Sequence, residues 1–574
     1  MPAFELEEEP GEPIDEEGKV IVRLLRWADG DKRPIGEFVS VVQMDDLNDL
    51  AMKDILLENG FPLEFSDDAL EEALRLTDSL PADELALRKD FRDVLTFTID
   101  PSDAKDFDDA LSYRALENGD LELGVHIADV SHFVPEHSQL DDEAYERATS
   151  VYLPDRVNPM LPERISNELC SLRPNEDKHT FSAVFVMDQQ GNLKSHWLGK
   201  TVIHSNHRFT YEEVQKTIES GEGLYADVIL TLNRIARVHR AKRFMQGAIN
   251  FSTQEVRFQL DEKARPIGVV VKESKEAHQL IEEFMLLANR TVAEEIDKVN
   301  DSGKPIPFPY RVHAEPDEEK LLPFVAFARK FGYAFNMSDG RKIAESFNAM
   351  LSAAKGTPQQ HVLEQLGIRT MAKAVYTTKN IGHYGLGFEF YCHFTSPIRR
   401  YPDVLVHRIL QRVLSGKASL DKKLEEKCKH CSERERAAMD SERAANKYKQ
   451  VEYLWAYLGH EFEAVISGVA TFGFWAETVE HKCEGLVSIK DLNYYDDFRL
   501  VESDYSLVGL RSGRKFRMGD SVRIKVVAAN LEKRQLDYEW VLVKGNNTEA
   551  PSEQTGKAET QQSPEPKKKA RRKS

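Results

Sequence analysis

The chain has 574 residues, enough for two to four domains with a sizeable core. Its formal net charge of -20 argues against a generally basic nucleic-acid coat, but a local basic channel stays open, because affinity follows phosphate-neutralising charge where it is concentrated. Five scattered cysteines make no disulfide framework, no run of about eighteen apolar residues could cross a membrane, and the acidic start lacks a signal-peptide pattern, so a soluble cytoplasmic protein is expected.

Residues 1–18 are acidic and rich in Glu and Pro, a composition that favours disorder. Residues 19–44 read as two strands around a polar turn, too little for a domain on their own. Residues 45–92 form a helical linker, where D-D-A-L-E-E-A-L-R-L sets apolar residues at helical spacing with acids near the start. From 93 to 415 strands and helices mix in one large α+β domain, with a strongly periodic helix over 276–298. Residues 416–457 make its charged helical end. Over 458–543 short strands with Gly, Phe, Val and Trp suggest a small β-barrel. Residues 544–574 are polar and end in K-K-K-A-R-R-K-S, a disordered basic tail that would add salt-sensitive affinity for nucleic acid.

The most informative stretch is D-P-S-D-A-K-D-F-D-D, five aspartates between Asp100 and Asp109. It follows Val94-Leu95-Thr96-Phe97-Thr98-Ile99, whose alternation suggests a strand with two different faces. Such a cluster repels itself unless a cation neutralises it, and Mg²⁺ prefers a few carboxylates plus substrate phosphates. An EF-hand loop needs Gly at its sixth position, where this chain has Lys105. The spacing of Asp100, Asp106, Asp108 and Asp109 suits two neighbouring metals, which stabilise both the attacking and the leaving oxygen of a phosphoryl displacement.

The segment T-I-D-P-S-D-A-K-D-F-D-D-A-L is followed by V-H-I-A-D-V-S-H-F-V and V-Y-L-P-D-R-V-N-P-M-L-P, then Q-G-A-I-N-F, E-A-H-Q-L-I-E-E-F-M-L-L-A-N and F-T-S-P-I-R-R-Y-P-D-V-L-V-H-R. This collinear set, over roughly residues 20–543, resembles the ribonuclease II / ribonuclease R family. The resemblance implies processive, Mg²⁺-dependent 3′→5′ hydrolysis of single-stranded RNA to nucleoside 5′-monophosphates. It implies Asp100, Asp106 and Asp109 as metal ligands, Asp108 as the aspartate tied to the chemical step, and Arg399 as the active-site arginine. Arg400 is an open second candidate for phosphate. Tyr152 matches the tyrosine that sets final product length, and Tyr211 and Phe251 match the aromatic clamp on the 3′-end bases. Either Glu282 or Glu283 matches the active-site glutamate, with Glu282 preferred, and Asp103 is read as a surface residue.

The barrel resembles an S1-type OB-fold that binds RNA, with Phe472, Phe474 and Trp475 where such domains expose stacking aromatics, and with Ser488 where many relatives carry His. Ahead of the catalytic domain only residues 19–44 resemble the end of a cold-shock domain, so the usual RNA entry clamp is expected to be incomplete. Two further signals are set aside. Alternation puts His126 and His132 on one strand face but not Asp129, so they are read as folding residues and not as a metal site. Cys428-Lys429-His430-Cys431 has zinc-like spacing without a second ligand pair. The expectation is a monomeric exoribonuclease; the alternative is a catalytically inactive RNA-binding protein that retains the scaffold.

Overall fold

The computed structural model describes residues 5–7, 20–27, 33–41, 47–79, 81–251, 255–301, 304–357, 359–417 and 421–542, so nearly all of the acidic start and the whole basic tail lie outside the described residues. Strands Val20–Arg26 and Ile35–Val41 pair antiparallel in a three-stranded sheet. Helices Leu47–Glu58, Asp67–Arg75 and Ala82–Ala86 then lead to the main sheet.

That sheet is built from β1 (Lys89–Phe91), β2 (Leu95–Asp100), β3 (Asp109–Ala115), β4 (Leu121–Ala128), β5 (Asp177–Met187), β6 (Leu193–His204) and β7 (His207–Thr210). Their order is β7-β2-β3-β4-β5-β6-β1, antiparallel through the centre and parallel at both edges. β4 is central and buried along its whole length, which is why V-H-I-A carries no exposed polar face. Successive side chains point to opposite faces. Phe181, Ala183 and Phe185 enter a core with helices Ala226–Met245 and Glu276–Asp297, while Val184 enters a second core with helix Tyr401–Leu414 and with Cys428 and Cys431. Burying both faces makes the sheet a rigid floor.

The periodic helix expected over 276–298 spans Glu276–Asp297. The charged segment beyond 415 becomes a 32-residue helix, Leu424–Trp455. Its start packs in the catalytic core through Cys428 and Cys431, and its end packs in the barrel through Val451 and Leu454. Both cysteine thiols face apolar neighbours and burial pushes their pKa values up, opposite to what a metal-ligating thiolate needs. Beyond it, Glu461–Ala470, Gly473–Thr478, Glu484–Ser488, Gln535–Trp540 and Ser521–Asn530 close a five-stranded barrel in that order, the strand number of an OB-fold.

Candidate active site

β2 and β3 pair antiparallel, with Leu95 opposite Tyr113 and Phe97 opposite Leu111. Asp100 ends one strand and Asp109 begins the other, so the loop between them must return to the end of the sheet, carrying Asp106 and Asp108 with it. Phe107 is buried and its N–H donates to Ser171 Oγ (3.0 Å), which pins the loop at the point where Asp106 and Asp108 diverge. Asp103 is exposed on the outer part of the loop.

The T-S-P-I-R-R-Y segment closes over these carboxylates. The Ile398 N–H donates to Asp108 Oδ1 (2.9 Å), and Arg399 Nε lies 3.5 Å from Asp108 Oδ2. Arg399 is 43 % exposed along its side chain and is steadied by Ser396 Oγ at 3.0 Å, so its guanidinium can reach a ligand. The Ser150 N–H donates to the Arg399 carbonyl (3.0 Å), which joins this segment to the strand carrying Tyr152. Tyr152 lies beside Asp106, Asp108 and Arg399, and its N–H donates to Glu442 Oε1 (3.1 Å). Tyr211 lies beside Asp109 and Asp100, its ring stacked on His278 with centroids 4.1 Å apart and planes 8° from parallel. His278 has no signal in the sequence, since a histidine on a helix is common without a role.

Electrostatically the cluster is undersupplied with positive charge. Burial pushes the Asp100 carboxyl up to about 8, reinforced by Asp109, and pushes Asp109 up to about 6 against the pull of Arg399 and Arg400. Asp106 and Asp108 are also raised by burial, in each case against Arg399. Asp100 Oδ2 is buried with no hydrogen-bond partner. Hard oxygen donors, crowded together and short of cations, fit a divalent metal site.

Several expected residues stand elsewhere. Arg400, 19 % exposed along its side chain, is paired to Asp403 at 2.8 Å, and its charge also acts on Asp109. Asp403 also accepts from the Ser396 N–H at 2.7 Å and so organises the whole loop. Glu282 is half-exposed and pairs with Arg243 at 3.2 Å, and Glu283 is buried on the same arginine. Neither pairs with the aspartates; the glutamate that the structure brings beside Tyr152 is Glu442. Phe251 packs on Phe347, with ring centroids 5.8 Å apart, at the edge of a helical core. In the barrel Phe474 is fully buried, which overturns its reading as an RNA-stacking ring. Phe472 is 51 % exposed and meets the partly exposed Trp475 edge-on at 5.3 Å. Gly473 explains this: at φ +148° a Cβ would sit 2.1 Å from the Val487 carbonyl oxygen, so only glycine allows the turn that throws Phe472 out and Phe474 in. Ser488 caps the short helix Ile489–Leu492 by accepting from the Lys490 N–H. His126 is buried between Ser112 and Ser182, and His132 lies in a short helix after β4, so the strand alternation drawn through both ends at Ala128.

Residues 88–416 match the RNB domain model. The chain is 38% identical over 518 residues to ribonuclease R 1 of Lactococcus lactis, covering 88% of this chain and 62% of that protein. It is 36% identical over 536 residues to ribonuclease R of Aquifex aeolicus, covering 92% and 75%. Among solved structures, Mycoplasma genitalium RNase R in complex with ribose methylated single-stranded RNA matches with a TM-score of 0.85 at 27% identity, covering 94% of this chain and 85% of that one. Yeast Ssd1, a pseudonuclease, shares the fold at a TM-score of 0.67 and 22% identity. A catalytic-domain match over more than half of the chain, carrying the aspartate loop and its arginine, leaves one assignment: this chain belongs to the RNB-domain family that includes bacterial ribonuclease R.

Proposed function

We propose that the chain is a metal-dependent exoribonuclease that shortens single-stranded RNA from its 3′ end, including 3′ overhangs of structured RNA, and releases nucleoside 5′-monophosphates. The observation that carries this reading is the set of four crowded aspartates, Asp100 and Asp108 buried and Asp106 and Asp109 partly exposed, closed by Arg399. Asp100, Asp106, Asp108 and Asp109 would hold the metal, read as two Mg²⁺ ions. When bound, these ions supply a nucleophilic water and offset charge on the scissile phosphate. Arg399 grips the phosphate and meets the charge that grows as the P–O3′ bond breaks. Tyr152, beside Asp106 and Asp108, would bound the path next to the metal ligands, and Tyr211, stacked on His278, would extend that stack to a terminal base. Water adds to phosphorus, the 3′ oxygen leaves with a proton, and the shortened strand keeps a 3′-hydroxyl.

The test is incubation of 5′-labelled RNA with the protein and Mg²⁺. Progressive shortening from the 3′ end is expected, abolished by chelator and restored by added Mg²⁺. An unshortened label would favour the second reading, an RNA-binding protein without activity, which the fold of Ssd1 illustrates. The intact aspartate set and Arg399 weigh against it. For the barrel, Phe472→Ala and Trp475→Ala are each expected to weaken RNA binding by about 1–3 kcal/mol in fluorescence anisotropy. Phe474→Ala should instead destabilise the barrel by about 3–5 kcal/mol in urea unfolding, through the cavity it leaves.

A further inference from the structure

Among the described residues one trio of ligand-type side chains comes together outside the aspartate loop: Glu84, His132 and His179, with one ligand atom from each within 4.8 Å of the others. We propose that this trio binds a borderline divalent cation of the zinc class and so clips the linker helix Ala82–Ala86 onto the catalytic sheet. The three residues come from distant parts of the chain: the linker helix, the short helix Val130–Phe133 after β4, and the third position of β5.

Two imidazoles and one carboxylate are the donor set that Zn²⁺ accepts with a water in fourth place. His179 is 4 % exposed, and its Nε2 is buried with no hydrogen-bond partner. An unsatisfied buried ring nitrogen is costly and needs a reason, of which an ion is one. Burial, then Arg88 and His132, bring His179 down to about 3, and burial lowers His132 against the pull of Asp129 and Glu84.

Nearby positive charge is the main objection, and the geometry answers it. Arg88 lies 2.7 Å from Glu84, but it also donates to Asp129 Oδ2 (2.8 Å) and to the Thr180 and Thr201 carbonyls (3.3 Å each). It can therefore release Glu84 to an ion without being left unpaired. Lys200 is likewise tied to Asp129. A cavity of about 410 Å³ reaches Glu84 and His132; of the cations that line it, Arg408 is paired to Asp141 and Arg412 to Glu136, as Arg88 and Lys200 are to Asp129. His132 now stacks on His179 with centroids 4.4 Å apart, and as the more exposed ring it is the one that turns to ligate.

Co²⁺ is the probe, because a low-coordinate site with two imidazoles absorbs strongly in the visible, whereas the all-oxygen aspartate site absorbs weakly. Titration of the full chain should give visible bands that saturate at one equivalent and are displaced by Zn²⁺. His179→Leu, which suits a buried position, and His132→Ala, on the exposed side, should each weaken this binding by about 10-fold or more. RNA shortening with Mg²⁺ should be unchanged in both, which shows that the variants fold. Absence of the bands in the wild type, or equal titrations in wild type and variants, would overturn the proposal and leave His179 Nε2 to a buried water.

Discussion

Asp108→Asn should lower the rate of RNA shortening by about 10³-fold or more while RNA affinity is held or increased, measured as single-turnover cleavage of 5′-labelled RNA beside anisotropy in chelator. The substitution keeps an oxygen for the Ile398 N–H, so the closing loop can stay in place. What it removes is one carboxylate charge from a site where burial, reinforced by Asp106 and Asp109, opposes its ionisation against the pull of Arg399. Relieving that cost gives the variant a second signature: its thermal unfolding in chelator should occur no earlier than that of the wild type. Loss of activity together with lost stability would point to misfolding and not to a missing ligand. A variant that cleaves at the normal rate would remove Asp108 from the mechanism.

Asp403→Ala should be among the most destabilising single changes in the catalytic domain, by about 3–5 kcal/mol in denaturant unfolding. It strands Arg400 as a largely buried charge and leaves the Ser396 N–H without its acceptor. Because that N–H begins the turn bearing Ile398 and Arg399, activity should fall as well, although Asp403 is not among the residues assigned to the substrate. The double substitution Asp403→Leu with Arg400→Met should recover part of the stability, since removing both charges avoids leaving either unpaired. Failure of the double variant to recover any would show that the loop depends on the hydrogen bond and not on charge balance.

The local features of this chain were legible because they follow from short-range rules. Asp100 ends a strand and Asp109 starts the next, as the alternation before them indicates, and helix Glu276–Asp297 lies where its apolar period puts it. Motif order along the chain was enough to expect the aspartate loop, Arg399, Tyr152 and Tyr211 together. Motifs could not separate adjacent residues of like chemistry. Arg399 and Arg400 differ only in which one finds Asp403, and Phe472 and Phe474 differ only through the backbone turn at Gly473. Glu282 and Glu283 were both drawn off by Arg243, a residue 39 and 40 positions away.

The sequence by itself determined the aspartate loop between two strands and the family to which the chain belongs, because these depend on residue identity and on neighbours within a few positions. Tertiary structure alone decided which side chains are buried, which are paired, and which distant residues meet. The stack of His278 on Tyr211 and the gathering of Glu84, His132 and His179 depend on contacts between segments tens of residues apart. No local periodicity encodes those contacts; the packing of helices and loops against a fully covered sheet does.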